Sequence, residues 1–347
     1  MRFILLNVVA IFMASGCDAE MFPNVRFLGM GYNVIKGNPD NSVIDPGFTT
    51  DVIDFSWEQG NTTSDERYEV PDYVQALQTK SCSFQSEVST VTGAQSYQNS
   101  LSEDVSVDSM DCSSYGSWSI RFSFNTWYWE VNQRTIYRYV YAIARGKCIE
   151  YDLSVNYIRS PINVTADFAQ AVNSLPLSPD PTAYNGFINT YGTHVVSRVT
   201  MGAKMVIRSE FEQEPWNKMR ETGVDVAVAA DASFRNQASA GLASETETER
   251  EQREDFERLR RAHVVSYLGS HPPSDGSEET WAATGGDAPY PVSYKVVPIT
   301  AFITARLFPD IPESDLSKRR KLLTEALDGY CIGCEEPGCS EISCNVK

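Results

Sequence analysis

The sequence predicts an α+β fold organised around one long, bent β-strand, and three observations carry that prediction. Residues 195–207 are rich in β-branched side chains, as strands are, yet Gly202 interrupts them at mid-length. A glycine there weakens a strand and marks a bend, a bulge or a close backbone approach. Two stretches, Trp118–Phe124 and Val224–Phe234, alternate apolar and polar residues with a period of two. Between them, residues 166–175 and 181–191 read as helices.

Taken in order, Gly29–Pro39 reads as a strand ending in a Gly37-Asn38-Pro39 turn. A phosphate-loop reading fails there, because the dinucleotide pattern needs glycine at Val34 and no Gly-Lys-Ser/Thr follows. Val52–Trp57 is a short strand, and Pro71–Thr79 leads into another around Cys82. Ser96–Tyr115 is rich in Ser and Asp and reads as a weak core element. Trp118, Ile120, Phe122 and Phe124 then alternate with Ser119, Arg121, Ser123 and Asn125. Aromatic residues follow at Trp127, Tyr128, Trp129, Tyr137, Tyr139 and Tyr141, before Cys148 and a strand through Tyr157.

The first helix, Ala166–Leu175, places Phe168, Val172 and Leu175 at helical spacing; the second runs from Pro181 to Tyr191. Tyr191-Gly192-Thr193-His194 then opens the bent strand. Over residues 223–243 the alternation returns. Val224, Val226, Val228, Ala230, Ala232 and Phe234 lie on one side, and Asp225, Asp231, Ser233 and Arg235 on the other. The mixed charges of Glu245–Arg261 read as a solvated element, and Pro272–Gly276 as a surface loop. A strand over Val292–Val297 and a helix over Ser314–Leu327 close the body.

Composition narrows the function. The chain has 347 residues, 42% of them hydrophobic, enough for a large core. Its 29 basic and 46 acidic residues leave a net charge of −17. That excludes nucleic acid, whose binding needs clustered cations, and disfavours attraction to anionic lipid by charge alone. At the N-terminus, Arg2 precedes an apolar run from Phe3 to Met13 and small residues Ala14-Ser15-Gly16, the pattern of a secretory signal peptide. The expected organisation is a leader over 1–19, a main domain over 20–330 and a short Cys-rich tail over 331–347.

Secretion makes the cysteines disulfide candidates. Seven follow the leader: Cys82, Cys112, Cys148, Cys331, Cys334, Cys339 and Cys344. The number is odd, so one thiol stays free or pairs with another chain. Four thiolates in the tail suffice for zinc, but an oxidising compartment favours two local disulfides. Asn61-Thr62-Thr63 and Asn163-Val164-Thr165 fit the glycosylation rule. His194, His263 and His271 lie in unrelated contexts, and no nucleophile elbow or phosphate loop is present, so no enzyme, metal or cofactor is expected. His194 reads as a structural histidine hydrogen-bonded at a helix-to-strand junction.

An ordered set of motifs resembles the membrane-attack-complex/perforin (MACPF) family. They are Gly29-x-Gly31-Tyr32 with Gly37-Asn38-Pro39, then Tyr191-Gly192-Thr193-His194 with Gly202, then Pro291-x-Ser293-Tyr294-Lys295, and a last helix reaching Tyr330-Cys331. The N-terminal stretch is most similar to secreted invertebrate members, including toxins and egg-protein cytolysins. Where the family often has a second glycine at the bend, this chain has Ala203. The resemblance implies a bent, twisted, four-stranded antiparallel sheet flanked by two helical clusters that convert to β-hairpins. It places the convertible segments at about 96–134 and 210–254, and implies a Cys82–Cys148 disulfide, leaving Cys112 free or in an interchain bridge. It further implies a homo-oligomeric ring on a target-cell membrane. On that model Trp118, Ile120, Phe122 and Phe124 face lipid in one hairpin, and Val224, Val226, Val228, Ala230, Ala232 and Phe234 in the other, with Arg121 and Asp231 in the lumen. Alternation of this kind is what a membrane barrel requires. The expected function is therefore a secreted pore-former, with a non-lytic binding, developmental or storage protein as the alternative. The short tail leaves targeting to a separate subunit such as a lectin, or to aromatics such as Trp118, Trp127 and Trp129.

Overall fold

Two long strands carry the architecture. The computed structural model describes residues 19–41, 44–107, 133–135 and 138–330. The leader, Cys112, Trp118, Ile120, Arg121, Phe122, Phe124, Trp127, Trp129 and the tail with Cys331, Cys334, Cys339 and Cys344 lie outside the described residues. The strands used below are β1 (Met30–Tyr32), β2 (Phe48–Asp51), β3 (Val74–Cys82), β4 (Glu87–Val91), β5 (Val105–Val107), β6 (Tyr139–Val155), β7 (His194–Glu212), β8 (Ala262–Leu268) and β9 (Tyr290–Pro298). The helices are α1 (Ala94–Leu101), α2 (Ala166–Ser174), α3 (Pro181–Tyr191), α4 (Gln213–Glu221), α5 (Val226–Ala238), α6 (Glu247–Leu259), α7 (Glu278–Gly285) and α8 (Glu313–Asp328).

β6 and β7 pair antiparallel from Arg198 opposite Ser154 to Glu212 opposite Tyr139. Beyond β6, β3 and then β4 pair with successive halves of it. Beyond β7, β9 covers the first half and β8 the second. The sheet is thus four strands wide, with each outer strand broken once. β1 adds to β7 at His194 and Val195, and β5 runs parallel to β9.

Register shifts in three ladders fall at one level. The β6–β7 register shifts between Met201 and Gly202, the β7–β9 register between Thr200 and Met201, and the β3–β6 register between Gln78 and Ser81. Stacked register shifts bend a sheet. A close backbone approach is there as well, for a Cβ on Gly202 would stand 2.0 Å from the Cys148 carbonyl oxygen. Cys82 opposes Cys148 at this level and is disulfide-bonded to it. Ala203 is buried in extended strand with Cys148 and Trp281 in its cluster, and its φ is not positive. A second glycine is not needed here.

Below the bend, α2, α3 and α8 pack with β1, β9 and the first half of β7 into the main core. Their ends follow local chemistry. Thr165 and Asp180 cap α2 and α3 by accepting from Phe168 N and Ala183 N, each worth about 1 kcal/mol, and Pro181 opens α3. Above the bend, α4, α5, α6 and α7 cover one face of β6 and β7.

Two expectations change. Ser96–Tyr115 is not a weak element where described: α1 and β5 bury Tyr97, Leu101 and Val105. Val52–Trp57 forms strand only at Ile53–Asp54, after β2. Residues 226–238, whose sequence alternates, are helical in this structure, as the resemblance implies, with Asp225 capping at Ala227 N and Val228 N.

Replacing Gly202 with alanine destabilises the protein by about 3 kcal/mol, because two backbones would have to part. Gly186, in α3 with open space where its Cβ would stand, gives the opposite outcome on substitution by alanine, a gain of about 0.5–1 kcal/mol. Thermal unfolding of the two variants checks both signs.

Candidate functional site

The motif residues form a knot below the bend. Gly192 has φ +83°, and a Cβ there would lie 2.6 Å from the backbone of Tyr32; a Cβ on Gly31 would lie 1.9 Å from the Tyr191 carbonyl oxygen. Thr193 N and Oγ1 both donate to Tyr32 O at 3.0 Å, and Oγ1 accepts from Val34 N at 3.2 Å. His194 is buried, with Nδ1 2.8 Å from Thr193 Oγ1. Asp45 joins the remaining motifs: Oδ1 accepts from Asn38 N and Gly47 N at 2.7 and 2.8 Å, and Oδ2 from the Tyr32 and Tyr294 hydroxyls. Burial pushes the Asp45 carboxyl up and, with Asp45 adjacent, both phenols well above their usual value. These groups are structural: none opens onto a reaction site, and among the described residues no cluster could hold a metal.

On one face of the sheet, just above the bend, Arg145 and Lys204 are fully buried. Lys204 Nζ reaches Asp40 at 2.8 Å, Asp104 at 2.5 Å and the Pro39 carbonyl at 3.0 Å. Arg145 takes Asp40 on two nitrogens, at 2.5 and 2.9 Å, and donates to Ser100 and Ser89. Lys147 adds a second bond to Asp104. This ionic cluster pins the loop after the Gly-Asn-Pro turn and the α1–β5 segment to the sheet. Lys204 and Arg145, cations within largely apolar runs of β7 and β6, were its sequence signals.

The opposite face holds the helical cluster. Side chains alternate along β7, so Ala203, Met205, Ile207 and Phe211 face α4–α7 while Lys204 and Val206 face the ions. Phe234 of α5 lies flat against Gly146, where a Cβ would meet its ring at 2.3 Å. The rest of the buried α5 face is Ala229, Ala230, Ala232, Ser233 and Ala238. Each alanine offers a single methyl, worth about 0.8 kcal/mol. Polar contacts supplement them: Ser86 donates twice to Asp231, Arg235 bridges Asp231 and Glu249, and Arg253 bridges Glu245 and Glu257. Such partly exposed pairs contribute about 0–1 kcal/mol each. The joints are left-handed: Gly223 before α5, Ala240 and Gly241 after it. α5 contributes one large side chain, Phe234, so that helix is held lightly for its size, while Trp216, Met219, Phe256 and Trp281 supply the larger contacts of α4, α6 and α7.

Of the sequence-derived membrane-facing residues, Ala230, Ala232 and Phe234 are buried under this cluster, Val224 and Val226 are half-buried, and Val228 is exposed. Asn163 is exposed, whereas Asn61 is half-buried beside a buried Thr63. No helix among the described residues is long and apolar enough to cross a membrane.

Known proteins share this arrangement. A family model, the MAC/Perforin domain, matches residues 15–340. The Perivitellin-2 67 kDa subunit of Pomacea canaliculata is 25% identical over 218 residues, 61% of this chain and 37% of that one. Its counterpart in Pomacea maculata is 24% identical over 235 residues, 65% and 40% of the two chains. The chain thus spans about two fifths of the length of these curated relatives. The crystal structure of GNIP1Aa from Chromobacterium piscinae matches with a TM-score of 0.61 at 15% identity, over 88% of this chain and 55% of that one, a likeness of fold.

Burial alone would raise the Asp40 carboxyl, but Arg145 and Lys204 outweigh it and hold it well below the usual carboxylate range. A folded value below the unfolded one, about 3.9, stabilises above that pH and is lost as the pH falls below it. The Tm difference between wild type and Asp40→Asn therefore stays constant from pH 8 to 5 and shrinks below about pH 4. Lys204→Ala removes one of the cations paired with each of Asp40 and Asp104 in a buried network and costs about 3 kcal/mol, read by chemical denaturation.

Proposed function

The chain belongs to the MAC/Perforin family, whose members form pores or bind rather than catalyse, and from that premise we propose that it is a secreted pore-former. The observation that carries the reading is helix α5 over β6 and β7, whose buried face is mainly alanine and whose sequence carries two patterns. As helix α5, residues 226–238 bury Ala230, Phe234 and Ala238 at i, i+4 spacing. As strand, the same segment places Val224, Val226, Val228, Ala230, Ala232 and Phe234 on one face, with its charges on the other. A closed barrel is one of two structures that satisfy every backbone group in hydrocarbon. Subunits would assemble on a target membrane, and α4–α6 would unwind into a hairpin extending β7 and β8.

The apolar leader and the Cys82–Cys148 bond support an extracellular setting. Asn163, exposed, is the better placed of the two glycosylation candidates. Targeting by a partner subunit, a lectin among the candidates, stays part of this proposal, as does an interchain bridge through Cys112.

Dye release from liposomes of varied composition, with electron microscopy for rings on the same samples, tests the reading. Ala227 and Val228 are neighbours, both exposed in α5, yet the hairpin puts them on opposite faces. Val228→Arg leaves the soluble fold intact and abolishes release, at a cost of about 2–4 kcal/mol per subunit in lipid, while Ala227→Arg retains it. Neither leakage nor rings on any composition would favour the binding alternative.

A further inference from the structure

The β7–β8 register extends the reading to a part of the chain it leaves unassigned. Lys204 opposes Leu268 and Glu210 opposes Ala262, each step forward on β7 matching one step back on β8 with no bulge. Carried past Glu210, the same register centres on Asn236. Val224 then opposes Thr248, Val226 opposes Thr246, Ala230 opposes Leu242 and Phe234 opposes Ala238. Opposed residues in an antiparallel pair share a face. One face of the hairpin becomes Val224, Val226, Val228, Ala230, Ala232 and Phe234 with Ala238, Ala240, Leu242, Ser244, Thr246 and Thr248, which carries no charge. Every charge between 224 and 248 falls on the other face: Asp225, Asp231, Glu245 and Glu247 against Arg235.

The length agrees independently. Each arm, from Val224 to Asn236 and back to Thr248, is close to the ~9–11 residues of a tilted membrane strand. The uncharged face ends at Arg250, one matching position beyond Thr248. Leu242, 69% exposed in the loop between α5 and α6, takes a place on the lipid face. In the soluble fold the lumen charges are occupied otherwise, Asp225 as a helix cap and Asp231, Arg235 and Glu245 in ion pairs.

Resting on the pore-forming reading, we infer that the membrane hairpin runs from Val224 to Thr248 and turns at Asn236, that its lumen face is acidic, and that the pore conducts cations in preference to anions. A ring of subunits repeats four carboxylates against one guanidinium around the lumen, and rings of acidic side chains favour cations. With a chain charge of −17, no basic excess offsets them.

The test combines leakage with planar-bilayer recording in a KCl gradient, using phosphatidylcholine–cholesterol membranes with and without phosphatidylserine. Wild type is expected to leak and to give a reversal potential on the cation side. Leu242→Arg is expected to lose leakage and Ala243→Arg to keep it, with unfolding curves confirming that both variants fold. Ala227→Lys combined with Glu247→Lys, both at exposed positions, is expected to shift the reversal potential toward the anion side. Equal leakage by the 242 and 243 variants, or loss only in the latter, overturns the register. Conductance without cation preference overturns the lumen assignment. Failure of wild type on every membrane overturns the pore reading itself, and this inference with it.

Discussion

The Cys148 carbonyl and Gly202 lie so close that no side chain can stand between them, and the sheet is arranged around that contact. Two long strands pressed together at one point cannot continue in smooth register. The β6–β7, β7–β9 and β3–β6 ladders all shift within a few residues of it. Each outer strand ends there and resumes as another, with α7 packed over the bend beside Cys148 and Ala203 and the Cys82–Cys148 bond tying β3 to β6. The bend therefore divides the molecule in two. Below it the motif knot makes a body with large buried aromatics, and above it lies a helical cover in which α5 packs mainly through alanines.

That contrast suits the proposed switch, in which the chain keeps its fold and α5 leaves it. A core of Phe and Tyr resists rearrangement, because close-packed interiors are not continuously deformable. The alanines of α5 offer little area to lose. Alanine also fits a helix by propensity and a strand face by its small apolar side chain, so 226–238 satisfies two periodicities at once. Valine at 224, 226 and 228 leans toward the strand, and the Asp225 cap toward the helix.

The sequence disclosed elements whose signals are local. α2 and α3 were legible from Thr165, Asp180 and Pro181, and the bent strand from a glycine among β-branched residues. The α1–β5 segment was not, because its Ser- and Asp-rich composition hides an anchor made elsewhere: Asp104 is bound by Lys204, a hundred residues away, and β5 pairs in parallel with β9. The helical state of 226–238 followed from the family resemblance, while its residues alone favoured alternation in a segment where both patterns fit. The motifs marked the scaffold without revealing why they coexist; only their convergence on Asp45 and Thr193 shows that they are one clasp.

The two sets of charges differ in how far they sense the surrounding fluid. Arg145 and Lys204 are sealed from solvent, so dissolved salt reaches them weakly. The pairs of Arg235 with Asp231 and Glu249 are partly exposed, and counterions screen them over a Debye length of about 8 Å at physiological strength. Ionic strength therefore acts on one half of this molecule and spares the other. In dilute fluid the helical cover is gripped more firmly, in saline fluid it is eased, and the scaffold beneath stays indifferent to both.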